Sequence, residues 1–146
     1  MKKLALITAT AMITSLSFAQ GLKEKEVPTP VKASFQKLYT SAKETKWEKE
    51  KDNYEAEFEI EDKEYSVLMD VSGNILETEL EISIDALPAK VKNYVLKNCS
   101  GQKIKEASKI TDVNGNVTYE TEIKGKDLLF DSNGNFIEQE SEKKKK

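Results

Sequence analysis

Between residues 54 and 61 apolar and acidic side chains alternate without a break. Tyr54, Ala56, Phe58 and Ile60 fall on one side, and Glu55, Glu57, Glu59 and Glu61 on the other. A period of two predicts a strand with one buried and one wet face, the mark of an antiparallel sheet covered on one side only. Tyr65, Val67 and Met69 continue the pattern after a tight Asp62-Lys63 turn. Leu76, Thr78, Leu80 and Ile82 then alternate with Glu77, Glu79 and Glu81, and an earlier strand over 45–49 carries Trp47.

A different period precedes these strands. Val31, Phe35, Leu38 and Tyr39 fall at i, i+4, i+7 and i+8, one face of a helix, with Pro28 or Pro30 suited to its first turn. About sixty residues later the same order returns. Leu87, Val91, Tyr94, Val95 and Cys99 line a second helical face, with Pro88 at its start, Ser83 or Asp85 as N-cap and Gly101 to end it. Segments 104–111, 117–124, 126–131 and 136–140 are strand candidates. Asn114-Gly115, Gly125 and Asn133-Gly134 supply residues that tolerate the positive φ of tight hairpins.

The two stretches also share wording. Val27-Pro28-Thr29-Pro30-Val31-Lys32 answers Leu87-Pro88-Ala89-Lys90-Val91-Lys92. Tyr54-Glu55-Ala56-Glu57 answers Tyr119-Glu120-Thr121-Glu122, and an Asp-x-x-Gly-Asn turn closes each at Asp70–Asn74 and Asp131–Asn135. One supersecondary unit is therefore built twice. A unit of roughly 55 residues is marginal alone. Joining the two sheets edge to edge hides two recruiting strand edges and leaves both helices on one side. The expected fold is α+β: two repeats of one helix plus a four-stranded antiparallel meander, in one extended sheet with both helices on one face. The expected divisions are 20–26 as a lead-in without periodicity, 27–82 and 83–140 as the repeats, and 141–146 as a lysine-rich tail.

The first nineteen residues read differently. Lys2 and Lys3 precede an apolar stretch shorter than the ~20 residues that span a bilayer, and Ser17-Phe18-Ala19 places small residues where a signal peptidase reads. Residues 1–19 are expected to be a signal peptide cleaved before Gln20, with an uncleaved anchor as the alternative. The product is expected in the periplasm, secretion being the lesser option, with no stable membrane insertion.

Charge and missing residue types narrow the chemistry. The net charge of −3 becomes −5 without Lys2 and Lys3, and −9 without the lysine run 143–146 as well. That body repels nucleic acid. The chain has no Arg and no His, and Cys99 is its single cysteine, so no internal disulfide can form. Cys99 has no base to activate it and reads as a small apolar residue on the second helix. No catalytic residue, cofactor site or metal site is expected, and the chain does not read as an enzyme. The Asp-x-x-Gly-Asn loops, and Asp112 to Asn116, put Gly where an EF-hand would not, and a hairpin explains each residue without a cation. The candidate partner contacts are Trp47, Glu55, Glu57, Glu59, Glu120 and Glu122. The glutamates project from one sheet face, with Lys46, Lys63 and Lys124 as cross-strand partners. Trp47, without an aromatic counterpart in the second copy, is either core or an interface anchor.

Pro-x-x-Val-Lys opening a helix, Lys46-Trp47-Glu48 entering the sheet, Tyr54-x-x-x-Phe58 and the Asp-x-x-Gly-Asn turn resemble the PepSY-like, putative β-lactamase-inhibitor-like family of small exported tandem-repeat proteins. The resemblance covers nearly all of 27–140 and occurs twice. It implies a sheet surface that grips a protein, by likeness to inhibitors that hold an enzyme in this way. Two departures stand beside it: the internal disulfides of true β-lactamase inhibitors are impossible here, and Tyr54 and Phe58 belong under the helix, so no aromatic-rich open face results. The expected function is a non-catalytic exported protein-binding module, its partner an exported protein of unknown identity and possible hydrolase character. The alternative is an acidic envelope protein that binds cations or another envelope component.

Overall fold

The computed structural model describes residues 20–141. Residues 1–19, expected to be a signal peptide, and the lysine run 143–146 lie outside the described residues. The chain follows the order β1 (Gln20–Leu22), α1 (Thr29–Leu38), β2 (Lys43–Glu50), β3 (Asn53–Ile60), β4 (Lys63–Met69), β5 (Ile75–Glu81), α2 (Ala89–Asn98), β6 (Glu106–Asp112), β7 (Val117–Glu122), β8 (Lys126–Asp131) and β9 (Phe136–Ser141). A short 3-10 turn precedes each helix, at Glu24–Glu26 and Ile84–Ala86. All nine strands form one antiparallel sheet in sequence order, so the architecture is α+β with both halves in a single sheet.

Four strands follow each helix, but the sheet has nine because the lead-in is not structureless. Gln20 to Leu22 pair with Lys49 to Trp47 of β2. Three residues are too few to show a period, and the pairing exists only because β2 offers an edge. The junction repeats this geometry: Glu81 pairs with Ser108, and the Ile82 N–H donates to the Ala107 carbonyl at 2.8 Å. The end of β5 thus stands to β6 as β1 stands to β2.

Directly paired residues share a face of the sheet, which settles where the helices lie. Trp47, Ala56, Val67 and Thr78 are successive partners, followed by Thr111 and Val117. Buried Trp47, Ala56, Phe58, Val67 and Met69 meet Val27, Val31 and Phe35 of the α1 side. Buried Ala107, Ile123, Leu128 and Phe130 meet Leu87, Val91 and Val95 of the α2 side. Both helices therefore cover the same face, and the opposite face is bare.

Local details differ from the sequence expectation in three places. Pro30 sits in the first turn of α1 as expected, but Pro28 and Pro88 hold the N-cap positions of the helices, and Ser83 caps the 3-10 turn instead. Proline fixes φ for the helix and loses no bond there, since the first N–H groups have no intrahelical acceptor. Leu38, counted with the apolar stripe, is 53% exposed, because α1 ends there and Tyr39 takes the contact with the core. The β3–β4 turn falls on Glu61 and Asp62, both at positive φ, with Lys63 already in β4.

The outer edge of β2 is blunted where β1 stops covering it. Its register with β3 shifts between Lys43 and Lys46, and Glu44 there has φ of 51°. A bulge flanked by lysines discourages a foreign strand from pairing.

Candidate functional site

The bare sheet face is the candidate site. Side chains alternate across a strand, so burying Ala56 and Phe58 sends Glu55, Glu57 and Glu59 to the open face. Burying Thr121 and Ile123 sends Glu120 and Glu122 there too. The structure thus gathers five of the six candidate contact residues onto one surface. Trp47 is not among them: it is 6% exposed, on the helix side, edge-on to Phe35 with ring centroids 5.1 Å apart.

The register sets carboxylate against carboxylate on this face. Glu48 lies opposite Glu55, Glu59 opposite Glu64, Glu106 opposite Glu122, and Glu122 opposite Asp127. Like charges directly opposed across a sheet are destabilising. Polar contacts relieve some of them locally. The Ser66 hydroxyl donates to Glu55 at 2.5 Å, and the Lys105 ammonium reaches Glu122 at 2.9 Å and Glu106 at 3.6 Å.

Lysines interleave only in part as the sequence suggests, and Lys43 pairs with Glu59. Lys46 pairs with Glu57 and shares its face. Lys63 instead pairs with Ile60, on the helix side, and Lys124 sits in the β7–β8 turn at φ of 54°. Lys49, Lys109 and Lys126 join Lys63 on the helix side: Lys49 lies opposite Tyr54, with its ammonium 5.8 Å from the ring centre, and Lys109 lies opposite Leu80 and Tyr119. The helices add Lys32, Lys37, Lys90, Lys92 and Lys97, with no acidic residue in either first turn. The strand carboxylates thus gather on the open side, where Lys43, Lys46 and Lys105 meet some of them, while Lys49, Lys63, Lys109 and Lys126 lie toward the helices.

The three Asp-x-x-Gly-Asn loops are identical devices. In each, one Asp oxygen accepts backbone N–H groups at the second and fourth residues on, and the other accepts the Asn side-chain amide, at 2.7 to 3.0 Å throughout. The amides of Asn74, Asn116 and Asn135, then the backbone N–H groups, hold the Asp70, Asp112 and Asp131 carboxyls below their ordinary range. These oxygens are turned toward their own loop. Among the described residues no group of three or more His, Cys, Asp or Glu is arranged to hold a metal ion.

A second concavity, a groove of about 760 Å³, opens where α1 meets β1 and β2, lined by Leu22, Lys32, Phe35, Tyr39, Trp47 and Glu48 among others. Burial pushes the Tyr39 hydroxyl above its ordinary value. No acid–base pair or activated nucleophile lies there. Cys99 is half-buried at the end of α2, packed beside the second core. Among the described residues no helix is long and apolar enough to cross a membrane.

Comparison with known proteins places this architecture. No curated protein matches the sequence. Three solved structures share the fold. A putative periplasmic protein from Bacteroides eggerthii superposes with a TM-score of 0.70 at 17% identity, over 79% of this chain and 88% of that one. A DUF2874 family protein from Bacteroides uniformis gives 0.69 at 18%, over 82% and 92%. A BLIP-like protein from Bacteroides fragilis gives 0.57 at 24%, over 78% and 86%. A family model described as putative beta-lactamase-inhibitor-like, PepSY-like matches twice, over 18–77 and 62–138. Those two overlapping matches take in nearly all of the described chain, one around each helix, and on them the protein belongs to the PepSY-like family.

Proposed function

We propose that this protein is a non-catalytic, exported binding module that presents its open sheet face to a basic surface on a periplasmic protein, by family analogy a hydrolase that it restrains. The observation that carries this reading is the row of opposed carboxylates on that face. Each opposed pair costs the fold on the order of a few tenths of a kcal/mol. Lys43, Lys46 and Lys105 relieve part of that cost, while Lys49, Lys63, Lys109 and Lys126 lie on the other side of the sheet. A surface with one sign of charge steers an oppositely charged partner and raises its association rate. Kinship to inhibitor-like proteins, and the BLIP-like neighbour, suggest a protein as that partner. On this reading residues 1–19 direct export, 27–82 and 83–140 are the two repeats, each a helix and four strands, and 141–146 is a lysine-rich end. The cation-binding alternative is disfavoured because the Asp70, Asp112 and Asp131 oxygens already accept N–H bonds from their own loops.

Partner capture from periplasmic extract tests the surface. The double variant Glu57→Lys/Glu59→Lys is expected to lose the captured protein while keeping the wild-type circular dichroism. Capture in the wild type should weaken steeply with salt, since screening reaches about 10 Å at 0.1 M. Undiminished capture by the folded double variant would remove the open face from the mechanism.

A further inference from the structure

We propose that Asn114 is a site of spontaneous covalent modification, deamidating through a succinimide to aspartate and isoaspartate, while Asn133 in an identical triplet is protected by α2. Both residues sit in Asn-Gly-Asn, at 114–116 and 133–135. The attacking group is therefore the same, since a following glycine leaves its backbone nitrogen open to approach the asparagine side chain, and only the preceding residue, Val113 or Ser132, differs. The nitrogen of Gly115 attacks Cγ of Asn114 and forms the ring bond. The side-chain amide nitrogen leaves with the displaced proton as ammonia. Water then opens the ring at either carbonyl, giving aspartate or a backbone lengthened by one methylene. No oxidant or reductant is involved.

In the intact turns both attacking nitrogens are occupied. Gly115 N–H donates to the Asp112 carbonyl at 3.0 Å, and Gly134 N–H to the Asp131 carbonyl at 2.9 Å. Each turn must open before the ring can form, and the opening free energy sets the rate. The two turns differ in what opening disturbs. Gly134 is buried, and a Cβ built on it would lie 3.0 Å from Cβ of Lys90 and 3.3 Å from Cβ of Pro88. The Lys90 ammonium also donates to the Asn135 side-chain oxygen. Opening that turn undocks it from α2. Gly115 is exposed, with nothing within 4 Å of a Cβ built on it, so its turn opens at the cost of its own bonds only.

The product would weaken the β6–β7 hairpin. A new carboxylate at 114 would stand beside Asp112, whose oxygen accepts the N–H of residue 114 at 2.8 Å. An added methylene would carry Asn116 away from the same carboxylate. This inference does not depend on the proposed partner.

The test is peptide mapping by mass spectrometry of the full chain held folded in mildly alkaline buffer. Asn114 is expected to convert roughly tenfold or more faster than Asn133, a ratio that corresponds to about 1.4 kcal/mol in opening. In guanidinium the two rates should converge. Lys90→Ala, which removes the tie to Asn135, should raise the Asn133 rate toward that of Asn114. Equal rates in the folded chain, a stable Asn114, a difference that persists in guanidinium, or an Asn133 rate untouched by Lys90→Ala would each overturn the proposal.

Discussion

The two helix-covered halves place their aromatic mass at opposite ends of the helix. Under α1, Phe35 meets Phe58 at 5.0 Å and Trp47 at 5.1 Å, while Tyr39 meets Phe58 at 4.7 Å, all toward the helix C-terminus. Matching positions by register under α2 hold Val95, Ala107, Ile123 and Cys99. There the rings gather instead beside the Asp131 turn: Tyr94 stacks on Phe136 at 4.7 Å and meets Phe130 at 5.4 Å. Corresponding positions of the first half are Ser34, Ile75 and Met69. The scaffold demands volume between helix and sheet, and either end of the helix can supply it. What it does not vary is the turn beneath the helix N-terminus, where Asp70 and Asp131 stand in the same bonds.

Replacing Trp47 by alanine, the residue at its counterpart 107, is the most severe way to break this comparison. At its other end the first half has only Tyr54, opposite Met69, so a loss of about 4 kcal/mol is expected from urea denaturation. A loss under 1 kcal/mol would mean that Phe35 and Tyr39 can collapse into the space. The turns give a graded series. A Cβ on Gly73 would stand 2.6 Å from the Pro30 carbonyl oxygen, and φ there is 84°. Gly73→Ala is therefore expected to cost about 3 kcal/mol, and Gly115→Ala, strained in φ but otherwise open, about 1 kcal/mol. Equal costs would show that helix docking adds nothing to the turn.

Smaller effects sharpen the contrast further. Thr121, fully buried, has a hydroxyl without a partner, whereas its register counterpart in the first half is Ala56. Thr121→Val should raise stability by about 1 kcal/mol, because a buried donor and acceptor left unmade is removed. A lower denaturation midpoint would reveal a hidden partner for that oxygen.

The acid limb concerns all three Asp turns together. Their carboxyls titrate below the ordinary value of 3.8 in the folded chain. A depressed folded value stabilises the fold above the unfolded value and loses that stabilisation as pH falls through the folded one. The urea midpoint should therefore decline below about pH 4, and Asp70→Asn should lower the neutral midpoint while flattening that decline. An unchanged slope would mean that the Asp70 carboxyl does not contribute to the acid limb.

Much of this was legible because it is local. The alternation through Tyr54 to Glu61 is β3 and the start of its turn, and Val31 with Phe35 is the buried stripe of α1. The five candidate glutamates share a face because a strand has period two, whatever it pairs with. Trp47 could not be resolved between core and surface, since its burial depends on α1 lying over β2. The side of Lys43 was hidden too, because the bulge between Lys43 and Lys46 sets it.

Taken alone, the chain specified its helices, its strand periods and its three Asp-anchored turns, all of which follow from steric and hydrogen-bonding preferences within a few residues. Tertiary structure decided that Gln20 to Leu22 make a ninth strand and that carboxylate faces carboxylate on the bare side. It also decided that one Asn-Gly turn is clamped while its twin stands free. Each of those depends on which distant segment arrives alongside, and a residue's neighbours along the chain do not carry that information.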